Sequence, residues 1–355
     1  MSIKTSGADD ADEFSGMIQS GISQPELVRP EQVKFETLWR EGGWDPSYQW
    51  YANFMRDIDC YDHQFFKRTP REAANMDSQQ RLAMQAAYQA VEMSGYYTRD
   101  EFPEPKRSQD SRNSKHICVY VGITLDDYQD HVRTHRTNTF SITGTMRSLI
   151  AGKIAHHFGW TGPAMTTDTA CSSFGVAIHT VCKALLAGDC DAALAGTAAG
   201  FLSPTGQCKP LDDQADGYCR GEAVRFVFLK RLSDTVADGN QIFGCIDSSA
   251  FYPNENHTPI FVPNSSSLST LFKDVLNKAK IHPSDISVVE CHGTSTPVGD
   301  PAEIEPLYIK SVEGHIGHTE ASSGVVALIK LLTMMQCESI PPGQSLAIES
   351  SHQAI

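Results

Sequence analysis

Short apolar segments alternate with longer segments of helical spacing along most of this chain, from His116 to Met335. Several of the short segments are apolar at almost every position, which is typical of strands buried on both faces of a sheet. The predicted strands cover His116–Ile123, Ala164–Thr169, Ala192–Ala195, Val224–Lys230, Ile242–Ala250, Ile286–Glu290 and Leu307–Val312. The predicted helices cover Gln79–Ser94, Cys171–Ala187, Ser266–Lys280 and Ser322–Met335. This alternation indicates a layered α/β fold.

The 355 residues divide into two parts in this prediction. Residues 1–115 form an N-terminal region, and its last segment, residues 101–115, is charged, carries two prolines and has no periodicity, so we expect a surface loop there. Residues 116–355 form the core in which the candidate catalytic residues lie. Because 40% of the residues are hydrophobic, a chain of this length can bury a sizeable core.

Charge and composition argue against several classes of partner. The formal net charge is −14, from 43 acidic and 29 basic residues, which argues against nucleic acid or an anionic membrane surface as the main partner. We find no apolar run of the roughly 18 residues that span a bilayer, and Met1–Glu13 is polar and acidic, so we expect a cytoplasmic protein. The ten cysteines form no Cys-x-x-Cys pair, which indicates neither a disulfide framework nor a zinc site.

One cysteine stands at a special position. The segment MTTDTACSSF places Cys171 where a predicted strand turns into a predicted helix, among small residues. The free N–H groups and the dipole at a helix N-terminus stabilise a thiolate and lower the pKa of the thiol. An arbitrary cysteine is more often a small buried hydrophobe, but this elbow favours a nucleophile at Cys171.

Two histidines each stand in a loop that follows a predicted strand. His292 lies where an apolar strand passes into a loop of Gly, Thr and Pro, and His318 stands just before the helix that begins near Ser322. In open α/β sheets, ligands bind at the carboxyl ends of the strands. We therefore expect Cys171, His292 and His318 to face one pocket, with the imidazoles as acid–base or electrostatic helpers.

These segments resemble the ketosynthase domains of polyketide synthases, particularly the fungal iterative ones. The family's usual forms are DTACSSS, EAHGTGTP and a lysine-containing segment that ends in NIGH, and this chain has DTACSSF, ECHGTSTP and SVEGHIGH. Further similarity in Pro70–Leu82, Ala215–Glu222 and Thr258–Asn264 extends the resemblance over about residues 7–345.

The resemblance implies a fold and a set of roles. The family fold is thiolase-like, with five layers in the order α/β/α/β/α, and it is usually dimeric, so the resemblance implies a homodimer. It assigns the acyl-accepting nucleophile to Cys171 and the decarboxylation and condensation roles to His292 and His318. Thr294 and Thr296 match threonines that hold the pantetheine arm of the substrate.

The implied activity is that of a β-ketoacyl synthase, an acyltransferase of polyketide biosynthesis. Cys171 would take an acyl group from a carrier thiol, and malonyl on the 4′-phosphopantetheine of an acyl carrier protein would lose carbon dioxide. The resulting enolate would be stabilised by the two imidazoles and would attack the acyl thioester in a decarboxylative Claisen condensation. The implied partners are an acyl carrier protein and acyl and malonyl thioesters, and no metal or bound cofactor is required.

The chain departs from the family beside the predicted site. Glu313 stands where the family has its active-site lysine, which reverses a charge near the expected enolate and predicts crippled condensation. Protonation of Glu313, or an ion pair with a neighbour such as His315, would soften that effect. Lys310 lies three residues earlier, and an odd offset on an extended strand would point its side chain to the opposite face.

Other departures concern the loop, one strand and the extent of the chain. Ser295 replaces a loop glycine, and Arg225 stands at a normally small position inside a predicted strand. Relative to the family, segments are missing at the N-terminal first strand, after Gly196, after Glu305 and beyond Ile355. We therefore expect a thiolase-like fold whose C-terminal part is incomplete.

Two other hypotheses stay open. A catalytically impaired ketosynthase-like fragment or scaffold subunit would also fit Glu313 and the missing segments. A Cys/His hydrolase would use the same residue types, but it needs one base and one orienting group, whereas the sequence offers two histidines on similar loops. The combination of Cys171, His292 and His318 favours a ketosynthase over a hydrolase, and the active and the impaired ketosynthase both stay open.

Overall fold

The computed structural model of the chain describes residues 1–29, 51–96, 115–124, 128–129, 132, 138–199, 208–211, 217–254, 262–296, 299–303 and 309–341. The strands are β1 (Ser2–Thr5), β2 (Glu26–Leu27), β3 (Tyr51–Ala52), β4 (Ile117–Gly122), β5 (Ala164–Thr167), β6 (Ala192–Ala199), β7 (Ala223–Lys230), β8 (Val289–Glu290) and β9 (Ile309–Lys310). The helices are α1 (Ala11–Ser20), α2 (Pro70–Ala73), α3 (Ser78–Met93), α4 (Thr139–Thr145), α5 (Leu149–Phe158), α6 (Ser173–Ala187), α7 (Leu232–Ala237), α8 (Ser265–Ala279), α9 (Gly299–Glu303), α10 (Glu313–Ile316) and α11 (Ser323–Cys337). Most of the predicted loop at residues 101–115 lies outside the described residues.

Five strands form the central sheet, in the order β1-β7-β6-β4-β5. β4 pairs in parallel with both β5 and β6, while β7 runs antiparallel to β6 and to β1. Val119 of β4 lies opposite Ala164 on one side and Leu194 on the other. All six residues of β4 are buried, as expected for an apolar strand in the middle of a sheet.

Helices cover both faces of this sheet. Ile117, Val119 and Val121 of β4 belong to a buried cluster with residues of α3 and α5. The alternating residues Cys118 and Tyr120 belong to a second cluster with residues of α1, α6 and α11. The period of two along an extended strand thus sends successive side chains into two separate cores, and the sheet is the middle of three layers.

Two helices at the N-terminal side of the chain begin at side-chain caps. The Asp10 carboxylate accepts hydrogen bonds from the backbone N–H groups of Asp12 and Glu13, which starts α1. Asp77 accepts a hydrogen bond of 2.9 Å from the N–H of Gln79 at the start of α3. Such caps satisfy N–H groups that have no partner inside the helix.

The C-terminal part of the structure differs from several predictions. The predicted strand Ile242–Ala250 is wrong, because residues 240–254 have no regular secondary structure and no strand of the described residues pairs with them. The predicted strand Ile286–Glu290 is reduced to β8, which pairs in parallel with β9. Within the described residues, two short pairs lie outside the central sheet, β2 with β3 and β8 with β9, and neither is a full second sheet of the predicted five-layered arrangement. After β9, Glu313 begins a helical turn instead of continuing an extended strand.

Among the described residues, one helix is apolar enough by length and composition to cross a membrane, although we predicted no such run from the sequence. The segment Ala170–Ala187 contains 18 residues with a mean hydropathy of 1.4. In the structure, α6 lies within this segment and packs against β4, β6 and α11. It buries Phe174, Ala177 and Val181 there, so packing in the core accounts for its apolar character.

Candidate active site

The turn between β5 and α6 presents Cys171 at the head of a helix. Ala170, the residue before it, has a φ of 52°, in the left-handed region that costs a non-glycine residue roughly 1–2 kcal/mol. The Ser173 hydroxyl holds this turn because it donates to the carbonyl oxygen of Ala170 at 2.6 Å and accepts from the N–H of Thr169 at 2.9 Å. The strained elbow projects Cys171 out of the strand direction and toward the histidines.

A carboxylate and a guanidinium brace the same turn. Asp168 accepts a hydrogen bond from the N–H of Ala170 at 3.2 Å through Oδ1, and its Oδ2 lies 2.7 Å from an Arg147 nitrogen. Arg147 also donates to the carbonyl oxygen of Thr124 at 3.0 Å, just beyond β4. The elbow is therefore tied to the neighbouring strand as well as to α6.

The backbone around Gly317 positions His318. Gly317 has a φ of 74°, and a Cβ at this position would lie 2.5 Å from the carbonyl oxygen of Cys219. That close approach lets the N–H of His318 donate to the same carbonyl at 2.6 Å, and Gly221 donates to the carbonyl of His318 at 2.9 Å. The His318 ring is buried, and its Nε2 lies 3.1 Å from Cys171 Sγ.

Glu313 lies on the other side of the His318 ring. Its Oε1 is 2.6 Å from His318 Nδ1 and accepts a hydrogen bond from the Ser323 hydroxyl at 2.7 Å, and the side chain is 2% exposed. We predicted that Glu313 would act as a bare charge unless it were protonated or paired with a neighbour such as His315. The structure pairs it with His318 instead, because the helical turn α10 directs the carboxylate toward that imidazole.

His292 completes the cluster from the loop after β8. Its Nδ1 lies 3.4 Å from the Ser323 hydroxyl and 3.7 Å from Glu313 Oε1, and its side chain is 40% exposed. The rings of His292 and His318 meet edge to face with centroids 5.0 Å apart. One side-chain nitrogen or sulfur atom from each of Cys171, His292 and His318 lies within 4.8 Å of the others.

The surroundings shift the pKa values of Cys171, His292 and His318. Burial raises the pKa of Cys171, but hydrogen bonds with His292 and His318 outweigh it, so the thiol pKa is lowered overall. Burial lowers the pKa of His318, but the Glu313 charge and the contact with Cys171 outweigh it and raise the pKa well above its ordinary value. The pKa of His292 is raised by the same two neighbours against the effect of burial. These shifts favour a thiolate paired with an imidazolium.

Two charged residues at the site were not singled out from the sequence. Glu320 Oε2 lies 3.3 Å from Cys171 Sγ, and its Oε1 forms an ion pair of 3.0 Å with Arg220 Nε. Arg220 stands in a segment that carries the family resemblance, and Glu320 stands two residues after His318. That proximity in the sequence was the available signal for Glu320.

The two threonines predicted to hold pantetheine lie in the His292 loop. Their hydroxyl oxygens are 3.2 Å apart, and Thr296 accepts a hydrogen bond of 3.1 Å from the N–H of Gly299. Among the described residues, no hydrogen bond joins Thr294 or Thr296 to Cys171, so their role in substrate binding stays a prediction.

Ser295, between these threonines, has a φ of 61° and is fully buried. Its hydroxyl has no hydrogen-bond partner among the described residues. A left-handed backbone at this position explains why the family uses glycine there.

Comparisons with known proteins place these features in one family. Residues 1–235 match the family model of the β-ketoacyl synthase N-terminal domain, and residues 243–347 match that of the C-terminal domain. The chain is 51% identical to an iterative polyketide synthase from Emericella nidulans and 51% identical to a non-reducing polyketide synthase from Aspergillus terreus. Each match covers 97% of this chain but only 13% and 14%, respectively, of the relative.

Solved structures agree with the predicted fold. A ketosynthase from module 6 of the bacillaene synthase of Bacillus subtilis 168 has a TM-score of 0.83 at 28% identity, over 99% of this chain and 63% of that chain. An oxazolomycin ketosynthase domain from Streptomyces albus JA3453 has a TM-score of 0.85 at 25% identity, over 98% of this chain and 64% of that chain. These matches confirm the thiolase-like α/β fold, and together with the sequence matches they confirm the family resemblance. The chain belongs to the β-ketoacyl synthase family, a family of acyltransferase-type condensing enzymes, and is a ketosynthase domain of the fungal iterative polyketide synthase type.

Proposed function

We propose that this chain forms carbon–carbon bonds in polyketide biosynthesis, by decarboxylative Claisen condensation of an acyl group on Cys171 with malonyl on an acyl carrier protein. The observation that carries the proposal is the contact of 3.1 Å between Cys171 Sγ and His318 Nε2, with His292 beside it. This arrangement supplies a nucleophile and two imidazoles within reach of one substrate carbonyl.

The first step is acylation of Cys171. The thiolate attacks the carbonyl carbon of a carrier-bound acyl thioester, a new S–C bond forms, and the bond to the carrier sulfur breaks. The proton on His318 Nε2 passes to the departing carrier thiolate. The N-terminal end of α6 favours negative charge at Cys171 throughout this exchange.

The second step is formation and attack of the enolate. His318 Nε2 first takes up a proton from solvent. Loss of carbon dioxide from malonyl then leaves negative charge on the thioester oxygen, and N–H groups of His292 and His318 donate hydrogen bonds to it. Glu313 favours a charged His318, which would offset the enolate charge. The enolate carbon then attacks the acyl carbonyl on Cys171, and the thiolate leaves. The same pairing means that Glu313 does not face the enolate as an uncompensated charge.

The substrates and setting follow from the family. Both acyl and malonyl thioesters would arrive on the 4′-phosphopantetheine arm of an acyl carrier protein, with Thr294 and Thr296 beside that arm. No bound cofactor enters these steps. We further propose a cytoplasmic homodimer with β5 near the interface, because the family resemblance implies a dimer with the strand before the cysteine near the subunit interface, and β5 is an edge strand of the described sheet.

Intact-protein mass spectrometry tests the proposal. The chain is incubated with an acyl thioester and then with malonyl on an acyl carrier protein, and both the acyl-enzyme and the β-ketoacyl product are measured. We expect the product to require Cys171 and to persist in Cys245→Ala, which removes an exposed free cysteine as a matched control. Condensation that survives Cys171→Ala, or a stable acyl-enzyme that never extends with malonyl carrier, would contradict the proposal.

A further inference from the structure

Three side chains at the site, Cys171, His318 and Glu313, lie in a hydrogen-bonded row. Cys171 Sγ is 3.1 Å from His318 Nε2, and His318 Nδ1 is 2.6 Å from Glu313 Oε1. A carboxylate only accepts hydrogen bonds, so Glu313 holds the Nδ1–H tautomer of His318 and leaves Nε2 to exchange a proton with sulfur or water. This is the geometry of a nucleophile, a base and an orienting group.

A Cys/His hydrolase needs one base and one group that orients the base. Glu313 supplies that group from the position where the family has a lysine, and a lysine ammonium could not accept the Nδ1–H of His318. We propose that the site also hydrolyses acyl thioesters, with Cys171 as nucleophile, His318 as general base and Glu313 as the residue that positions and charges His318.

The first half of the reaction is the acylation already described for condensation. After the carrier thiol has left with the proton from His318, the imidazole is neutral and Cys171 carries the acyl group. Glu313 still accepts the Nδ1–H, so the free Nε2 lone pair faces the acyl thioester on sulfur. His318 is then poised to accept a proton from an attacking molecule.

Water completes the cycle. Its oxygen forms a C–O bond to the acyl carbon as His318 Nε2 takes one proton, and collapse of the tetrahedral intermediate breaks the C–S bond. The products are a free carboxylic acid and the restored pair of Cys171 thiolate and His318 imidazolium. The net reaction consumes one acyl thioester and one water and releases one thiol and one acid, without an oxidant or a reductant.

Solvent reaches the cluster from the His292 side. The His292 side chain is 40% exposed, and Cys171 is half-buried, whereas His318 and Glu313 are buried. Water can therefore approach the acyl carbon while the hydrogen-bonded row behind it stays shielded. The substrate class is a simple acyl thioester of a pantetheine-type thiol, because this chemistry uses only the thioester group.

The hydrolysis shares acylation of Cys171 with the proposed function, and the two are separable after that step. An acyl-enzyme that forms and extends with malonyl carrier but does not react with water leaves condensation standing and overturns hydrolysis. An acyl-enzyme that turns over with water but never extends overturns condensation alone. Failure to acylate Cys171 overturns both.

The experiment uses the full chain and hexanoyl-N-acetylcysteamine, without malonyl or carrier protein. Released thiol and hexanoic acid are measured over time, and intact mass follows the acyl-enzyme. We expect several turnovers by the native chain and none by Cys171→Ala. Glu313→Gln should slow loss of the acyl group by about 10²- to 10⁴-fold, whereas Glu313→Asp should retain more activity. Glu92→Gln, an exposed change on α3, is the control.

The pH dependence of deacylation distinguishes a role of Glu313 in positioning His318 from simple damage to the fold. Loss of the acyl group needs neutral His318, so its rate rises with pH through the pKa of that imidazole, which Glu313 raises. Glu313→Gln should therefore move the midpoint to lower pH while the maximum rate falls. The proposal would be overturned if Glu313→Gln lowered the maximum deacylation rate without moving the midpoint, or if this variant lost its acyl group at the native rate. It would also be overturned if the native acyl-enzyme hydrolysed no faster than a free thioester.

Discussion

The nucleophile and the histidines come from two regions that are built differently. Cys171 follows β5 in a five-stranded sheet that helices cover on both faces, and its neighbour strand β4 is buried at every residue. The histidines come from residues 240–341, where residues 240–254 have no regular structure and α8 buries only Ser267 of its 15 residues. Phe272 of α8 is 52% exposed. Apolar packing is dense around the cysteine and along α11 beside His318, but it is sparse in residues 240–279.

Local polar contacts add to this packing around the histidines. The N–H of His318 bonds to the Cys219 carbonyl, Glu313 bonds to His318 and Ser323, and Lys330 forms a buried ion pair with Glu290 at 2.8 Å. Such contacts set geometry well but depend on every partner being present, since an unpaired buried charge is costly. The comparison therefore predicts that single polar substitutions matter most in the second region.

The largest effect is expected from breaking the ion pair of Lys330 and Glu290. Both side chains are buried, so Lys330→Met leaves the Glu290 carboxylate in the core without its partner. We expect a loss of about 3–5 kcal/mol in the free energy of unfolding, measured by urea denaturation. The double variant Lys330→Met with Glu290→Leu should recover most of it, and equal losses for both variants would show that packing, not charge, holds this region.

A substitution in the central sheet should instead increase the free energy of unfolding. Arg225 of β7 is fully buried, and its guanidinium has no hydrogen-bond partner among the described residues, although it lies 5.0 Å from the centre of the Phe14 ring. Burial lowers the pKa of Arg225 well below its ordinary value, which marks a cost of keeping the charge. The ring contact offsets about 2 kcal/mol of that cost.

We therefore expect Arg225→Met to raise the free energy of unfolding by about 2 kcal/mol, because the aliphatic side chain needs no partner. Arg225→Lys, which keeps a charge, should give no such gain. If the methionine variant were less stable than the native chain, the sheet would depend on a polar contact after all, and the contrast between the two regions would weaken.

A smaller gain in stability is expected from a substitution in the His292 loop. Ser295 combines a left-handed backbone with a buried hydroxyl that has no partner among the described residues. Ser295→Gly should stabilise the chain by about 1 kcal/mol, because relief of backbone strain exceeds the added flexibility of the unfolded chain. Ser295→Ala removes the hydroxyl but keeps the Cβ. The difference in stability between the two variants, measured by thermal denaturation, therefore gives the contribution of the left-handed backbone.

Sequence patterns predicted the parts of the site that depend on neighbours along the chain. The elbow at Cys171 and the loops of His292 and His318 follow from strand, turn and helix signals within about ten residues of each. The pair of Glu313 and His318 could not be predicted, because it depends on whether residues 313–316 extend or turn. Contact between Glu320 and Arg220 joins segments 100 residues apart in sequence. The predicted strand Ile242–Ala250 failed because an apolar run becomes a strand only where a neighbour pairs with it.

The smallest predicted effect tests whether the charge of Glu320, in the histidine region, changes the pKa of Cys171. Glu320 lies 3.3 Å from Cys171 Sγ, and its charge opposes the lowering of the Cys171 pKa. Glu320→Gln should therefore lower that pKa further and increase the fraction of thiolate near neutral pH. The gain should be modest, because Arg220 already pairs with the carboxylate, so we expect a roughly threefold faster alkylation of Cys171 by iodoacetamide at pH 7.

The direction in which the pH profile of Cys171 alkylation shifts tests this effect of the Glu320 charge. The Cys171 pKa lies below its ordinary value of 9.0, so the native chain should alkylate readily below that pH and slow down only as the thiolate becomes protonated. In Glu320→Gln the same decline should occur at lower pH, whereas Glu92→Gln, far along the chain on α3, should leave the profile unchanged. A decline at higher pH would mean that Glu320 accepts a proton from the thiol and helps to form the thiolate, which would make the second region a source of the base as well as of the imidazoles.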